Sequence, residues 1–127
     1  MLVADLFEIK KKEFDGKKLT ATVDINADNN IFKGHFPNNP VAPGVMQVQL
    51  VKELVELQVQ KDLELVTMSR CKFLAILNPV KTPTIEVEVD ITEVEGQYNV
   101  KAGGKSSNEV YFKFFATYKW QTENYRT

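Results

Sequence analysis

The stretch from Lys33 to Gln60, KGHFPNNPVAPGVMQVQLVKELVELQVQ, constrains this chain more than any other. Its first half is a loop framed by Gly34, Pro37, Asn38, Asn39, Pro40, Pro43 and Gly44, and its second half is the only long helical pattern in the sequence. Each proline holds φ at about −65° and removes a backbone donor. Gly34 and Gly44 permit conformations or close approaches that a Cβ would block. The single histidine, His35, therefore sits in a restrained frame just ahead of a helix. Pro43 suits the first helical turn, where its missing N–H is no loss. The N–H groups of Gly44, Val45 and Met46 have no partner inside the helix and point outward with the positive end of its dipole. That arrangement suits a carbonyl oxygen gaining negative charge. His35 is the one side chain whose unperturbed pKa suits proton transfer near neutrality.

A helix from Pro43 to Gln60 would run about 27 Å at 1.5 Å per residue. Met46, Leu50, Leu54 and Leu57 form one apolar row, and Val48, Val51, Val55 and Val59 a second. Two rows cover more than a narrow stripe, so most of the helix is expected to be buried. The valines lower helix propensity, so packing must hold the element in place. Gln49, Lys52, Glu53, Glu56 and Gln60 fall on the remaining face.

The 127 residues fit one domain, 1–127, with a loose polar tail from about Thr122. That length buries roughly two-thirds of the unfolded surface. A net charge of −1 gives no argument for nucleic acid as a partner. No apolar run approaches a membrane span, and the N-terminus lacks a secretory pattern, so a cytoplasmic protein is expected. One cysteine, Cys71, excludes an internal disulfide, and with one histidine it makes a zinc site of the usual ligands unexpected.

Taken in order, Met1 to Ile9 fits either a strand or a one-turn helix. Asp15-Gly16 is a hairpin signal. Leu19, Ala21, Val23 and Ile25 alternate as a half-buried strand. Asp28, Asn29 and Asn30 suit the cap of a short helical turn through Ile31 and Phe32. After the helix, Leu63 to Ile76 reads as a strand with Val66, Met68, Cys71, Phe73, Ala75 and Leu77 inward. Cys71 is expected as a small buried hydrophobe there. Asn78-Pro79 and Pro83 mark a turn. Ile85, Val87, Val89, Ile91 and Val94 mark the next strand, Glu95-Gly96 a turn, and Tyr98 to Ala102 another strand. Gly103 to Asn108 reads as a loop, and Val110 to Trp120 as a last, aromatic strand contributing sheet core. One apolar helix and five or six strands fit an α+β domain in which a single antiparallel sheet curls around the helix.

The run Gly34-His-Phe-Pro-Asn-Asn-Pro-Val-Ala-Pro-Gly-Val45 resembles the active-site motif of the 3-hydroxyacyl-acyl carrier protein dehydratases of the FabZ and FabA type, G-H-F-P, two variable residues, P-V-x-P-G-V and then the central helix. Cys71-Lys-Phe73, the Pro79 turn and the Ile85 to Val94 strand resemble the next two strands of that family, so the likeness covers nearly the whole chain. It implies the hot-dog fold, a long helix inside a wrapped sheet, and a homodimer with two active-site tunnels at its interface, open to higher oligomers or to pairing with a related hot-dog subunit. The implied reaction is loss of water from a (3R)-3-hydroxyacyl thioester to give a trans-2-enoyl thioester. The substrate is carried on the phosphopantetheine arm of acyl carrier protein in fatty acid or related synthesis. No metal or redox cofactor, nucleic acid or membrane is implied.

By position, the resemblance makes His35 the base that removes the proton beside the thioester carbonyl, and the Gly44 and Val45 amides the donors that polarise it. Phe36, Pro37, Pro43 and Phe73 would line the substrate path, and Lys72 would meet the carrier phosphate. Lys33, Lys10, Lys11, Lys12, Lys17 and Lys18 are further candidates to face an acidic carrier. The family places an acidic residue five positions after the helix-opening glycine, contributed by the partner subunit. That position here is Gln49, whose amide can hold a hydroxyl or a water by hydrogen bonds but cannot deliver a proton. Glu53 lies one turn further, about 6 Å along the axis, within reach only through a water. Three readings follow: a dehydratase in which Gln49 orients the leaving hydroxyl, a non-catalytic or partner-dependent subunit that binds the carrier, and, against the motif, a hot-dog thioesterase.

Overall fold

The computed structural model describes residues 4–33 and 40–121. His35, Phe36 and Pro37, and the tail expected to be loose from Thr122, lie outside the described residues. The elements in order are β1 (Phe7–Phe14), β2 (Lys18–Ile25), a 3₁₀ turn (Asn30–Phe32), α1 (Gly44–Val59), β3 (Leu63–Phe73), β4 (Thr84–Val94), β5 (Gln97–Ser106) and β6 (Glu109–Trp120). The six strands form one antiparallel sheet in the order β1-β2-β4-β5-β6-β3. One helix against a six-stranded antiparallel sheet is the hot-dog fold expected from the motif.

The alternating strands deliver one face each to the core. Leu19, Ala21 and Val23 of β2 and Val87 and Val89 of β4 are completely buried, together with Leu50, Val51, Leu54 and Val55 of α1. Phe112, Phe114 and Tyr118 of β6 are buried in the same core. The Asp15 carboxylate accepts from the N–H groups of Lys17 and Lys18 at 2.9 and 2.7 Å and closes the β1–β2 turn. The Asn29 side chain accepts from Ile31 N–H at 2.9 Å and caps the 3₁₀ turn, as its sequence suggested.

Several expectations change. Met1 to Ile9 divides: residues 4–6 turn and a strand begins at Phe7. Gly103 and Gly104 do not loop but continue β5 to Ser106, paired with β4 and β6, and glycine at 104 leaves room for the Phe112 ring. Val94 and Leu57, read as core, are exposed. The largest revision concerns β3. Val66, Cys71 and Phe73, expected inward, are exposed, Met68 and Ala75 are half-buried, and only Leu77 beyond the strand is fully buried. β3 is an edge strand paired only with β6, and its register breaks twice, between Leu65 and Thr67 and between Ser69 and Lys72, with Arg70 at φ 52°. A bulge adds an unpaired residue and shifts the inward and outward alternation, so one face of this strand never lines up against the helix.

Candidate active site

The helix entrance is built by local hydrogen bonds and by one ring packed over it. Pro43 sits outside α1 as an extended residue, φ −60° and ψ 143°, and its carbonyl accepts from Met46 N–H at 3.0 Å and Gln47 N–H at 3.2 Å. This corrects the expectation for Met46, whose N–H is taken. Among the described residues, nothing accepts from the N–H groups of Gly44 and Val45. Two adjacent free amides at a helix start, reinforced by the helix dipole, suit an oxygen that carries negative charge.

The segment ahead of the helix is pinned from both sides. Ala42 N–H donates to Leu77 O at 2.8 Å, and the Gln47 Nε2 donates to Ala42 O at 2.9 Å. Gln47 is only 3% exposed, and its Oε1 has no hydrogen-bond partner among the described residues. Sequence reasoning passed over Gln47. The signal was present, since position 47 belongs to the core-facing row with Val51 and Leu54 and carries an amide instead of an aliphatic side chain.

Phe73 joins the entrance. A Cβ built on Gly44 would lie 2.6 Å from Phe73 Cζ, so glycine at 44 is what lets the ring lie over the first turn of α1. The ring is nonetheless 50% exposed. Lys72 precedes it at the end of β3, exposed, opposite Lys113 of β6. Of the residues picked from the sequence, the structure thus gathers Pro43, Gly44, Val45 and Phe73 at one helix end, with Lys72 next in the strand. The position of His35, Phe36 and Pro37 relative to them falls outside the described residues.

Gln49 lies farther along the helix and donates from Nε2 to Glu53 Oε2 at 2.8 Å. Glu53, assigned by pattern to the solvated face, is 4% exposed. The two line a groove of about 910 Å³ with Lys52, Glu56, Leu57, Gln60, Lys61, Asp62, Trp120 and Gln121. At its far end Glu56 accepts from Leu63 N–H at 2.8 Å, and Lys61 donates to the Tyr98 hydroxyl at 2.9 Å. That hydrogen bond holds the Lys61 ammonium above its ordinary range. Beneath, burial and then the charge of Glu56 push the Tyr118 phenol up to about 12, so it stays protonated through neutral pH. A second hollow, about 250 Å³ on the outer sheet face around Gly103, Lys101 and Lys113, contains none of these residues. Among the described residues no group of three or more His, Cys, Asp or Glu side chains is placed to hold a metal ion, and no helix is long and apolar enough to cross a membrane.

A family model for the ApeI dehydratases matches residues 10–111. The chain belongs to the ApeI-like dehydratase family. The FabZ 3-hydroxyacyl-[acyl-carrier-protein] dehydratase of Thermoanaerobacter sp. (strain X514) is 29% identical over 117 residues, 87% of this chain and 79% of the relative. The FabZ of Rickettsia rickettsii (strain Sheila Smith) is 32% identical over 82 residues, 58% of this chain and 57% of that one. Among solved structures, the dehydratase heterocomplex ApeI:P from Xenorhabdus doucetiae is similar with a TM-score of 0.70 and 16% identity, covering 88% of this chain and 96% of that one. A putative thioesterase, yhdA, from Lactococcus lactis reaches a TM-score of 0.67 at 7% identity, covering 94% of this chain and 95% of that one. At such identities both structures speak for the fold alone. This ApeI-like chain therefore combines a dehydratase-family sequence with a helix entrance suited to a carbonyl oxygen.

Proposed function

We propose that this protein dehydrates (3R)-3-hydroxyacyl thioesters carried by acyl carrier protein, in fatty acid or related acyl-chain synthesis. The observation that carries the reading is the helix entrance: the N–H groups of Gly44 and Val45, without acceptors among the described residues, beneath the half-exposed Phe73 ring. A thioester carbonyl accepting from those amides gains the polarisation that makes its C2 proton removable. His35 then acts as base, and Gln49 holds the 3-hydroxyl on its amide. Phe36, Pro37, Pro43 and Phe73 line the acyl path, and Lys72 meets the carrier's phosphate. No metal or redox group takes part.

In this reading two copies assemble through β3, whose outer edge carries exposed Leu65, Val66, Phe73 and Leu74. A second reading, a subunit that depends on a related hot-dog partner for its acid, is favoured by the amide at position 49. The experiment is a hydro-lyase assay in both directions on crotonyl and longer enoyl chains attached to acyl carrier protein. Turnover abolished by His35→Ala supports the first reading. A silent protein that turns over only when a related subunit is added supports the second. Release of a free thiol in place of an enoyl thioester makes it a thioesterase and overturns both.

A further inference from the structure

The unusual element of the site is a buried carboxyl group one helical turn from where the family carries its acid. Glu53 is 4% exposed, yet it lines the same groove as Gln49 and accepts from Gln49 Nε2 at 2.8 Å. A carboxylate oxygen accepts and an amide nitrogen donates, so the contact fixes which way the Gln49 amide is turned. Its Oε1 faces away from the accepting Glu53 oxygen and can take a hydrogen bond from a hydroxyl. The amide by itself supplies no proton at neutral pH, whereas a carboxyl group can.

We propose that Glu53 is the acid of this dehydratase, and that the Gln49 amide positions both it and the substrate's 3-hydroxyl, so that the carboxyl function has moved one turn along α1. This rests on the dehydratase reading above. In the forward step the C2–H bond breaks, its proton passes to the His35 imidazole, and its electron pair becomes the C2=C3 π bond. The C3–O bond breaks with its pair on oxygen, which takes a proton from a bridging water and leaves as water, while the Glu53 carboxylic acid returns a proton to the bridging water. Glu53 ends as carboxylate and His35 as imidazolium, and proton exchange with solvent returns both to their starting forms. Gln49 touches the hydroxyl but exchanges no proton, so it is a positioning residue.

The test is steady-state kinetics of the full chain on 3-hydroxyacyl and enoyl chains attached to acyl carrier protein, comparing wild type with Glu53→Gln, Glu53→Asp and the exchanged pair Gln49→Glu/Glu53→Gln. Glu53→Gln is expected to lower kcat by about 10²–10⁴-fold with KM little changed. The exchanged pair, which returns the carboxyl to position 49, is expected to regain turnover. A helix-stabilising pair with no chemical role would leave kcat alone. An active wild type, silenced by His35→Ala but unaffected by Glu53→Gln, overturns the proposal and leaves the dehydratase reading standing. An inactive wild type whose exchanged pair is active overturns the proposal and the dehydratase reading with it, and leaves the partner-dependent subunit. If wild type and every variant are inactive, both fall. Should Glu53→Gln fail to fold, Glu53→Asp carries the test: it keeps the charge and withdraws the carboxyl by one methylene, and an unchanged kcat overturns the proposal.

Discussion

The two edges of the sheet are built in opposite ways. β1 ends the sheet with Glu8, Lys10, Lys11, Lys12 and Glu13, including ion pairs between Lys10 and Glu8 at 3.6 Å and Lys11 and Glu13 at 3.2 Å. β3 ends it with Leu65, Val66 and Phe73 exposed, and Leu74 and Ile76 continue the apolar surface, Ile76 at 66% exposure. Both edges are bulged, β1 between Ile9 and Lys11 and β3 at two places, so bulges do not distinguish them. Side chains do. Charge, lysine above all, blunts an edge against adding another strand. β1 carries five such charges in eight residues, whereas β3 carries only Glu64, Arg70 and Lys72 in eleven, set among exposed apolar side chains, so β3 is the less protected edge.

Three experiments break or sharpen this contrast. The first concerns how β1 is held, since only Phe7 of its residues is buried. Phe7→Ala is expected to lower stability by about 3–5 kcal/mol in denaturant titration, because the strand's attachment to the core is concentrated there. A loss below 1 kcal/mol would mean that the ladder to β2 holds the strand by itself. The second targets β3. Leu65→Lys combined with Leu74→Lys is expected to leave the fold of one chain within about 0.5 kcal/mol per site while light scattering reports a fall to the mass of a single chain. Unchanged mass would move the interface elsewhere. The third is the smallest. The N–H groups of Lys18 and then Lys17 hold the Asp15 carboxyl below its ordinary 3.8. A group whose folded pKa is depressed contributes above its unfolded value and loses that contribution as pH falls through the folded one. Asp15→Ala should therefore show a slightly lower urea midpoint than wild type at pH 7, with the gap closing as the pH drops below 3.8.

The strands with strict alternation were legible because both of their neighbours are strands of the same sheet. β2 and β4 lie between partners, so apolar and polar faces separate along the chain as they do in space. β3 was legible as a strand but not in its facing. Its bulges and its missing neighbour are properties of the sheet, and an apolar residue reads the same whether it meets the core or a second chain. The turn in β5 was misplaced for a related reason. Two consecutive glycines signal a loop locally, while the close approach of Phe112 that requires Gly104 comes from a residue eight positions later.

At the site, sequence alone determined that a proline and a glycine frame the helix entrance and that position 49 carries an amide, but it put Pro43 inside the first turn, and the structure leaves it just outside. Prolines, glycines and spacing act on the nearest few bonds, so their consequences can be read residue by residue. Tertiary structure decided what surrounds that frame. It laid Phe73 over Gly44, buried Gln47 against the Ala42 carbonyl, and closed Gln49 on Glu53. A helical pattern gives the angle at which a side chain leaves the axis. Whether that direction ends in water or under a neighbouring strand depends on packing between segments far apart in the chain, and for Glu53 it was packing that turned a surface charge into a buried carboxyl group.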